Sequence, residues 1–562
     1  MARYPWGAAK DDFRDDGVTS AAHHVGDDSF AEIQTQPAAG ESRGEVVMST
    51  GQSTVAFIVM AMGMFMASLD IQIVTSSLRE IQAGLSATAD EVSQVQTSYL
   101  IAEVIMIPLS GWLSRMLSTR WLFTLSAIGF TVTSVACGMA WSLESMVVFR
   151  ALQGFLGGAM IPTVFAAGMV MFRGAAQMRV PAILGLVATL APALGPTIGG
   201  YITETLSWRW LFFINVLPGI VIILIVPRVV RIDKPDFGLL KRFDVLAAGL
   251  LVVFLGGIQF TLEEGPRRQW LDDPLLQWMT PIALLAGAVF VLRTLHHPEP
   301  LVELRAFKQR NFAIGCVLSF AVGVGLYGSI YLTPVFLGSV RGLGAQQIGG
   351  IVFVVGLANI VATPLTVALM QRVNFKLLLL IGFAIFMASC IMFVRIDANW
   401  GKSQLLLPQI LRGIATMVCI IPVTGLALGA LPVEHLKGGS GIYNLMRNLG
   451  GAIGLAVINS QLFYERLSFH RERLFDKLSA ATMIVQERAE LLTSLLGRVM
   501  TDDDMIARVT LMLTSRLGLR EALTMSVSDV FVLMAVFFVF PMLLVLFIDS
   551  TKIAQTNTAE PN

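Results

Sequence analysis

The chain alternates between long apolar runs and short polar segments almost from end to end. A helix of about 20 apolar residues crosses the hydrocarbon core of a bilayer, and fourteen runs of roughly this length follow a polar start. They lie near 54–78, 94–113, 121–140, 145–171, 180–203, 209–229, 243–262, 278–296, 312–338, 346–370, 376–395, 404–428, 438–462 and 526–549. This pattern predicts an all-α integral membrane protein with fourteen transmembrane helices in the lipid bilayer.

Composition supports the membrane prediction and narrows the function classes. Of the 562 residues, 55% are hydrophobic and 14% are charged, and the mean hydropathy is +0.71. A net charge of +1 without a strongly basic block argues against a nucleic-acid partner. The sequence has no phosphate-binding Gly-x-x-x-x-Gly-Lys-Ser/Thr loop, so ATP is not expected as the direct energy source. We expect no cofactor, no metal site, no catalytic residues and no enzyme activity.

Loop charges predict the orientation. Basic residues concentrate in alternate short loops, which places those loops and both termini in the cytoplasm by the positive-inside rule; examples are Arg115, Arg120, Arg228, Arg231, Lys241 and Arg242. The polar residues 1–52 and 551–562 are then cytoplasmic tails, the first of them disordered. The long charged segment 463–525 is expected outside the membrane, as a periplasmic helical hairpin.

An internal repeat divides the chain. Arg150-x-x-Gln153-Gly154 in the fourth run matches Gln409-x-x-Arg412-Gly413 in the twelfth, with Arg and Gln exchanged on the same frame. We therefore predict two pseudo-symmetric six-helix bundles, over 53–230 and 312–550, with a linker over 231–311 that holds two inserted transmembrane helices. Repeats of this kind place a substrate site near the midplane between the two halves.

Two adjacent stretches carry the most informative chemistry. Arg150-Ala-Leu-Gln-Gly-Phe-Leu-Gly-Gly-Ala159 puts an arginine inside an apolar run, and Ala191-Pro-Ala-Leu-Gly-Pro-Thr-Ile-Gly-Gly200 combines a proline with paired glycines. Glycine permits close helix approach and proline interrupts helix hydrogen bonding. Ordinary tight packing would use the same residues.

With these stretches, the chain after its tail resembles the major facilitator superfamily, and within it the 14-span drug:proton antiporters of the EmrB/QacA type. The stretches look like that family's antiporter motifs in spans four and five, which here consist of Arg150, Gln153, Gly154, Gly158, Gly195, Pro196, Gly199 and Gly200. The loop after span two departs from the superfamily pattern, because Gly111-Trp-Leu-Ser-Arg115 has arginine where an aspartate is usual.

The resemblance implies an alternating-access exporter in a bacterial inner membrane, in which hydrophobic or amphipathic compounds leave as protons enter. It also implies a periplasmic adaptor (membrane fusion protein) and an outer-membrane channel as partners where the cell has an outer membrane. A dedicated exporter of one metabolite, siderophore or lipid is the alternative of the same fold, and an importer is another. A membrane-embedded enzyme or a sensor would need a catalytic cluster or a soluble domain that the sequence does not show.

Ionisable residues within apolar runs are the candidates for proton coupling, because burying a charge in a bilayer costs about 2.5 to 3.5 kcal/mol even on the lenient insertion scale. Asp70 is expected to be the main proton carrier and Glu103 the second, with Arg150 tuning both. A static structural pair between Asp70 and Arg150 is the alternative.

Further polar residues in the spans are substrate-binding candidates. The six are Gln72, Gln409, Arg412, Asn444, Arg447 and Asn448. Exposure of this polar set to lipid would be costly, so it should point into the bundle. The same residues could instead hold the two halves together.

Overall fold

A computed structural model describes residues 49–172, 174–177, 179–479, 483–496, 498 and 502–549, and every regular element assigned in these ranges is a helix. They belong to one compact unit, 46–562. The predicted tails, 1–52 and 551–562, lie outside the described residues except for 49–52. The first helix begins at Thr50, capped by the Ser49 side chain.

The first half of the bundle contains nine helices that form the first six predicted spans. They are α1 (Thr50–Ser76), α2 (Leu78–Leu85), α3 (Ala89–Leu117), α4 (Thr119–Gly138), α5 (Leu143–Gly157), α6 (Met160–Met171), α7 (Arg179–Thr205), α8 (Trp210–Phe213) and α9 (Val216–Val229). Predicted spans four and six are each interrupted: α5 stops at a glycine pair before α6 continues, and α8 is a single turn before α9.

Two inserted helices and the second half follow. The insert is α10 (Val245–Glu264) and α11 (Pro274–His296), and the second half contains α12 (Arg310–Ser339), α13 (Ala345–Met370), α14 (Phe375–Val394), α15 (Lys402–Gly429), α16 (Leu436–Asn459), α17 (Leu467–Ser479), α18 (Met483–Leu496), α19 (Asp503–Phe537) and α20 (Val539–Val545). The all-α architecture predicted from the sequence is confirmed, whereas the domain boundaries stay a prediction.

Thirteen stretches of the described chain are long and apolar enough to cross a membrane. The predicted run that is missing from them is the thirteenth, 438–462, which forms α16, a helix of 24 residues that is too polar to be counted. Its polar residues are mostly buried against α12, α3 and α6. A helix shielded from lipid on several sides can carry polar groups that a lipid-facing helix cannot.

Glycine contacts reproduce the repeat in three dimensions. A Cβ on Gly154 of α5 would overlap the Tyr99 carbonyl oxygen in α3, and a Cβ on Gly413 of α15 would lie 2.8 Å from the Val355 carbonyl oxygen in α13. In the same way α7 packs closely on α1 and α16 on α12. The two halves therefore use the same close helix pairs, as the sequence repeat predicts.

The end of the bundle at which α1 begins, called here the first face, joins the two halves through charges. Lys437, at the start of α16, pairs with Asp233 in the linker after α9, and Asp233 also accepts bonds from the Thr119 backbone N–H at 3.0 Å. Glu303, in the linker before α12, accepts from Arg115 at 3.4 Å and contacts His435 at 2.9 Å. The arginine that departs from the superfamily pattern thus has its own carboxylate partner.

The inserted helices lie beside the seam between the halves. α10 packs against both α3 and α16, and the Trp270 indole donates to the Ser460 hydroxyl at 2.8 Å. At the first-face end of α10, the Asp244 carboxylate caps the helix and accepts from Arg293 of α11 at 2.7 Å. This bond to Arg293 holds the pKa of Asp244 below its usual value.

The segment predicted as a hairpin is helical over most of its described residues. A π-helical stretch, Ser460–Arg466, joins α16 to α17, and α19 runs without a break from Asp503 into the last span. His470 of α17 bonds to Asp529 of α19 at 2.8 Å. The segment therefore extends the ends of α16 and α19, and its position outside the membrane stays a prediction.

Candidate functional site

The Asp70 carboxylate of α1 lies at the centre of the first half, fully buried. One of its oxygens accepts from Arg150 Nη1 at 2.5 Å, and the other accepts from Asn215 Nδ2 at 2.7 Å and from Gln153 Nε2 at 3.2 Å. Three donors from two other spans thus surround one carboxylate. Hydrogen bonds to a charged partner of this kind are short and strong.

Arg150 is also fully buried, and its contacts fix its orientation. Its guanidinium carbon lies 4.1 Å from the centre of the Tyr99 ring, and Nη1 also donates to Gln153 Oε1 at 2.8 Å. Nε donates to the Val95 carbonyl oxygen at 3.4 Å, while Nη2 has no hydrogen-bond partner among the described residues. The two N–H groups of Nη2 are therefore left to form bonds in another state of the site.

Small residues of the span-four motif allow this geometry. A Cβ on Gly158 would lie 2.8 Å from the Glu103 carbonyl oxygen, and Gly154 makes a similarly close backbone contact one turn earlier. Because α5 lies directly on the backbone of α3, the Arg150 side chain passes over the Tyr99 ring of α3 to reach Asp70 of α1. The small residues of the motif thus help to position Arg150 beside Asp70.

The span-five motif makes the corresponding contact with α1. A Cβ on Gly195 would overlap the Cβ of Gln72, and one on Gly199 would lie 3.0 Å from the Ile73 carbonyl oxygen. Pro196 lies inside α7, and Gly199 and Gly200 are buried there. The motif therefore holds α7 against the α1 segment that carries Asp70.

A small central cavity lies between the two halves, with about 40 Å³ of space open to a water-sized molecule. Its lining consists of Met64, Ser68, Ile71, Gln72, Glu103, Ile161, Ala188, Pro192, Leu326, Tyr327, Asn444, Arg447 and Asn448. Pockets for drug-sized ligands usually measure about 300 to 1,000 Å³. The cavity in this structure is therefore too small to hold a drug-sized compound.

The structure brings some predicted residues together and separates others. Four of the six substrate candidates line the cavity, and so does Glu103. Gln409 and Arg412 do not line it: Arg412 donates to the Ser329 carbonyl oxygen at 2.7 Å and to the Thr333 hydroxyl at 3.0 Å, within the second half. Gln409 bonds to Arg412 in turn. This pair occupies the position that Arg150 and Gln153 have in the first half, but without a carboxylate.

Three groups that matter to the site were absent from the sequence-based candidates. Asn215 bonds directly to Asp70, and the Ser134 hydroxyl accepts from Asn215 Nδ2 at 3.0 Å. Tyr99 stacks on Arg150. Asn215 ends the aromatic stretch Trp208–Asn215, and a polar residue there inside an apolar run was the available signal. Ser134 and Tyr99 look like ordinary helix residues in the sequence.

Comparison with known proteins agrees with this architecture. The family model described as Major Facilitator Superfamily matches residues 60–455. The chain is 39% identical to the "Colistin resistance protein EmrB" of Acinetobacter baumannii, over 88% of this chain and 96% of that protein. It is 29% identical to the "Multidrug export protein EmrB" of Escherichia coli K12, over 76% and 83% of the two chains.

A solved structure shows the same fold. The human organic anion transporter MFSD10 (TETRAN) superposes with a TM-score of 0.54 at 12% identity, covering 88% of this chain and 99% of that one. At this identity the likeness concerns the fold alone. Together with the sequence matches, it shows that the chain belongs to the major facilitator superfamily and, within it, to the EmrB-type family of multidrug efflux transporters.

Proposed function

We propose that this protein exports hydrophobic or amphipathic compounds in exchange for protons, by alternating access of the central cavity, and that Asp70 is its main proton carrier. The observation that carries the proposal is the buried Asp70 carboxylate, held by Arg150, Gln153 and Asn215 beside the central cavity. Intramembrane ionisable residues in a transporter fold are usually functional.

In the proposed cycle, a proton binds the Asp70 carboxylate and neutralises it. The charge-assisted bond to Arg150 then weakens, and the guanidinium is free to form other bonds, for which both N–H groups of Nη2 are available. Loss of the proton restores the pair. Because Asp70 lies on α1, against the α7 helix that packs along α13 of the second half, this change of contacts can bias the equilibrium between the two states.

Glu103 is proposed as the second proton-binding group. It lies on α3, borders the cavity and is almost fully buried, at 3% exposure. A carboxylate there can exchange its proton for a cationic group on the cargo. Each proton that moves down a potential of 100 mV releases about 2.3 kcal/mol, so no nucleotide is needed to drive export.

The substrate class and the location are part of the same proposal. Relatives named for colistin resistance and multidrug export support a drug cargo, and they do not favour a dedicated exporter of one metabolite. We place the protein in a bacterial inner membrane with the first face and both termini in the cytoplasm. The clustering of basic residues in the first-face loops supports this orientation.

Reconstitution tests the proposal. The protein is placed in liposomes with an imposed pH gradient, and movement of a fluorescent amphipathic dye is followed with and without a protonophore. Dye accumulation against its gradient should appear with the pH gradient and stop when the gradient collapses. Dye flux that is indifferent to the collapsed gradient would refute proton coupling, and absence of any flux above protein-free liposomes would refute transport of this cargo class.

We further propose that the segment 463–525 docks a periplasmic adaptor, which passes cargo to an outer-membrane channel. Within the described part of this segment, Leu511 and Met512 of α19 and Leu491 of α18 are apolar and 54–69% exposed. Leu511 and Met512 follow each other in the chain, and contiguous exposed apolar residues are typical of protein interaction sites.

The docking proposal is tested with the double substitution Leu511→Ser and Met512→Ser. It should weaken pull-down of a purified periplasmic adaptor from the same bacterium while leaving dye transport in liposomes intact. Arg508→Gln, on the same helix, is the matched control and should retain adaptor binding. Unchanged pull-down by the double variant would rule out this docking surface.

A further inference from the structure

The central cavity is bordered by an acidic residue from one half of the protein and a basic residue from the other. Glu103 comes from α3 of the first half and Arg447 from α16 of the second, and both line the cavity. They are 3% and 4% exposed. No ion pair joins them within the described residues, so their nitrogen and oxygen atoms are more than 4.0 Å apart.

Arg447 lacks an anionic partner among the described residues. Its Nη2 donates to Asn444 Oδ1 at 2.6 Å, and its guanidinium carbon lies 5.3 Å and 5.1 Å from the ring centres of Phe165 and Tyr443. These contacts orient the guanidinium but do not neutralise it. A buried cation without a counter-ion is costly, which distinguishes Arg447 from Arg150.

Glu103 is in the complementary situation. Over the described chain its carboxylate forms neither a hydrogen bond nor an ion pair. The charged groups near it include Arg150 and Asp70, which are bonded to each other. The central cavity thus contains one unpaired acid and one unpaired guanidinium, each held by a different half.

The surface around these two groups is largely apolar. Met64, Ile71, Ile161 and Leu326 contribute aliphatic side chains to the cavity, and Tyr327 contributes a ring. A complementary ligand therefore needs an apolar body, a cationic group for Glu103 and an anionic group for Arg447. We propose that this cavity is selective for zwitterionic amphiphiles, bound in that orientation.

Electrostatics gives the reason for the preference, which rests on the proposed export function. A cargo with only one charge satisfies one of the two groups and leaves the other buried and unpaired, at a cost in binding free energy. A zwitterion satisfies both. Its cationic group also displaces the proton from Glu103, and this competition between cargo and proton is what antiport requires.

Two matched dyes test the inference: a rhodamine with a free carboxylate, which is zwitterionic at neutral pH, and its methyl ester, which is only cationic. Initial transport rates into liposomes with an imposed pH gradient are measured against dye concentration, after subtraction of leak in protein-free liposomes. The wild-type protein should show the lower KM for the zwitterion. Arg447→Gln should raise that KM about tenfold or more and leave the KM for the ester unchanged.

Further variants separate binding from structure. Arg447→Lys keeps the charge and should retain part of the preference for the zwitterion. Arg372→Gln, an exposed arginine at the end of α13, is the matched control and should change neither KM. If wild-type protein moves both dyes with equal KM, or if Arg447→Gln weakens both equally, the inference is wrong while the export function stands. If the pH gradient drives neither dye, the export function itself fails.

Discussion

Substitution of Asp70 by Asn tests the central pair most directly. Asparagine keeps the shape of the side chain and can still accept hydrogen bonds, but it carries no charge and cannot gain or lose a proton near neutral pH. Arg150 then stays buried without its counter-ion. Export driven by a pH gradient should be lost, whereas exchange of labelled for unlabelled cargo without a gradient should continue.

The magnitude follows from the contacts. Asp70 accepts three bonds, at 2.5, 2.7 and 3.2 Å, and neither it nor Arg150 is accessible to solvent. Removing one member of a buried ion pair typically costs about 3 to 5 kcal/mol. We therefore expect a clear loss of thermal stability, measurable in detergent by the unfolding of the purified variant.

The double variant Asp70→Asn with Arg150→Gln separates the two roles. It removes both charges, so most of the lost stability should return, because no uncompensated charge remains. Proton-driven export should stay absent. If Asp70→Asn alone still exports cargo in response to a pH gradient, or if the double variant restores that export, the pair is structural and the reasoning for Asp70 is refuted.

Three further predictions concern packing, closure and the insert. Gly154→Ala should prevent stable expression or abolish export, because the new Cβ would overlap a backbone carbonyl oxygen of α3, and no side-chain rotation relieves that contact. Size-exclusion chromatography of the purified variant and a transport assay measure the two effects. A normal elution profile together with normal transport would contradict the prediction. Lys437→Gln removes the partner of Asp233 and should weaken the contact between the halves at the first face. A cysteine introduced in the cavity should then be labelled faster by a thiol reagent. An unchanged labelling rate would show that this ion pair does not hold the first face together. Because Arg293 lowers the pKa of Asp244, the contribution of this pair to stability should be present above the ordinary aspartate pKa and be lost as the pH falls to the lower pKa of the folded state. Asp244→Asn should therefore flatten the dependence of thermal stability on pH in that acidic range. An identical pH dependence in the variant would show that the pair contributes nothing to stability.

Several features of the site can be predicted from the sequence because they depend on local cost. A charge in an apolar run needs a partner, so Asp70, Glu103 and Arg150 stand out from the sequence alone. A direct pair between Asp70 and Arg150 is one of the arrangements that the sequence suggests. Asn215 was missed because its importance depends on a contact with α1, 145 residues away in the chain. No local pattern encodes which distant carboxylate an amide will meet.

The second half shows the limit of the repeat as a guide. Gln409 and Arg412 align with the antiporter motif of the first half, and the sequence made them candidates either for substrate contact or for holding the two halves together. In the structure α12 offers Arg412 a backbone carbonyl and a hydroxyl where α1 offers Arg150 an acid. The pseudo-symmetry therefore extends to the glycine contacts and to the bond between Arg and Gln. It does not extend to the partner of the arginine, which is the Asp70 carboxylate in the first half and a carbonyl oxygen and a hydroxyl in the second.

The sequence by itself determined the all-α membrane fold class, the order of the apolar helices and the charged residues that needed partners, and it predicted an insert between two repeated halves. These follow from hydrophobic run length, loop length and the cost of charge in lipid, all of which act over one helix at a time. Only the tertiary structure decided that Asp70 is ionically paired, that Glu103 and Arg447 face one cavity unpaired, and that Arg115 bonds to Glu303. Those outcomes depend on which helices lie close enough for side chains far apart in the chain to meet. The packing of all the helices together, and not any single helix, decides which of them are neighbours.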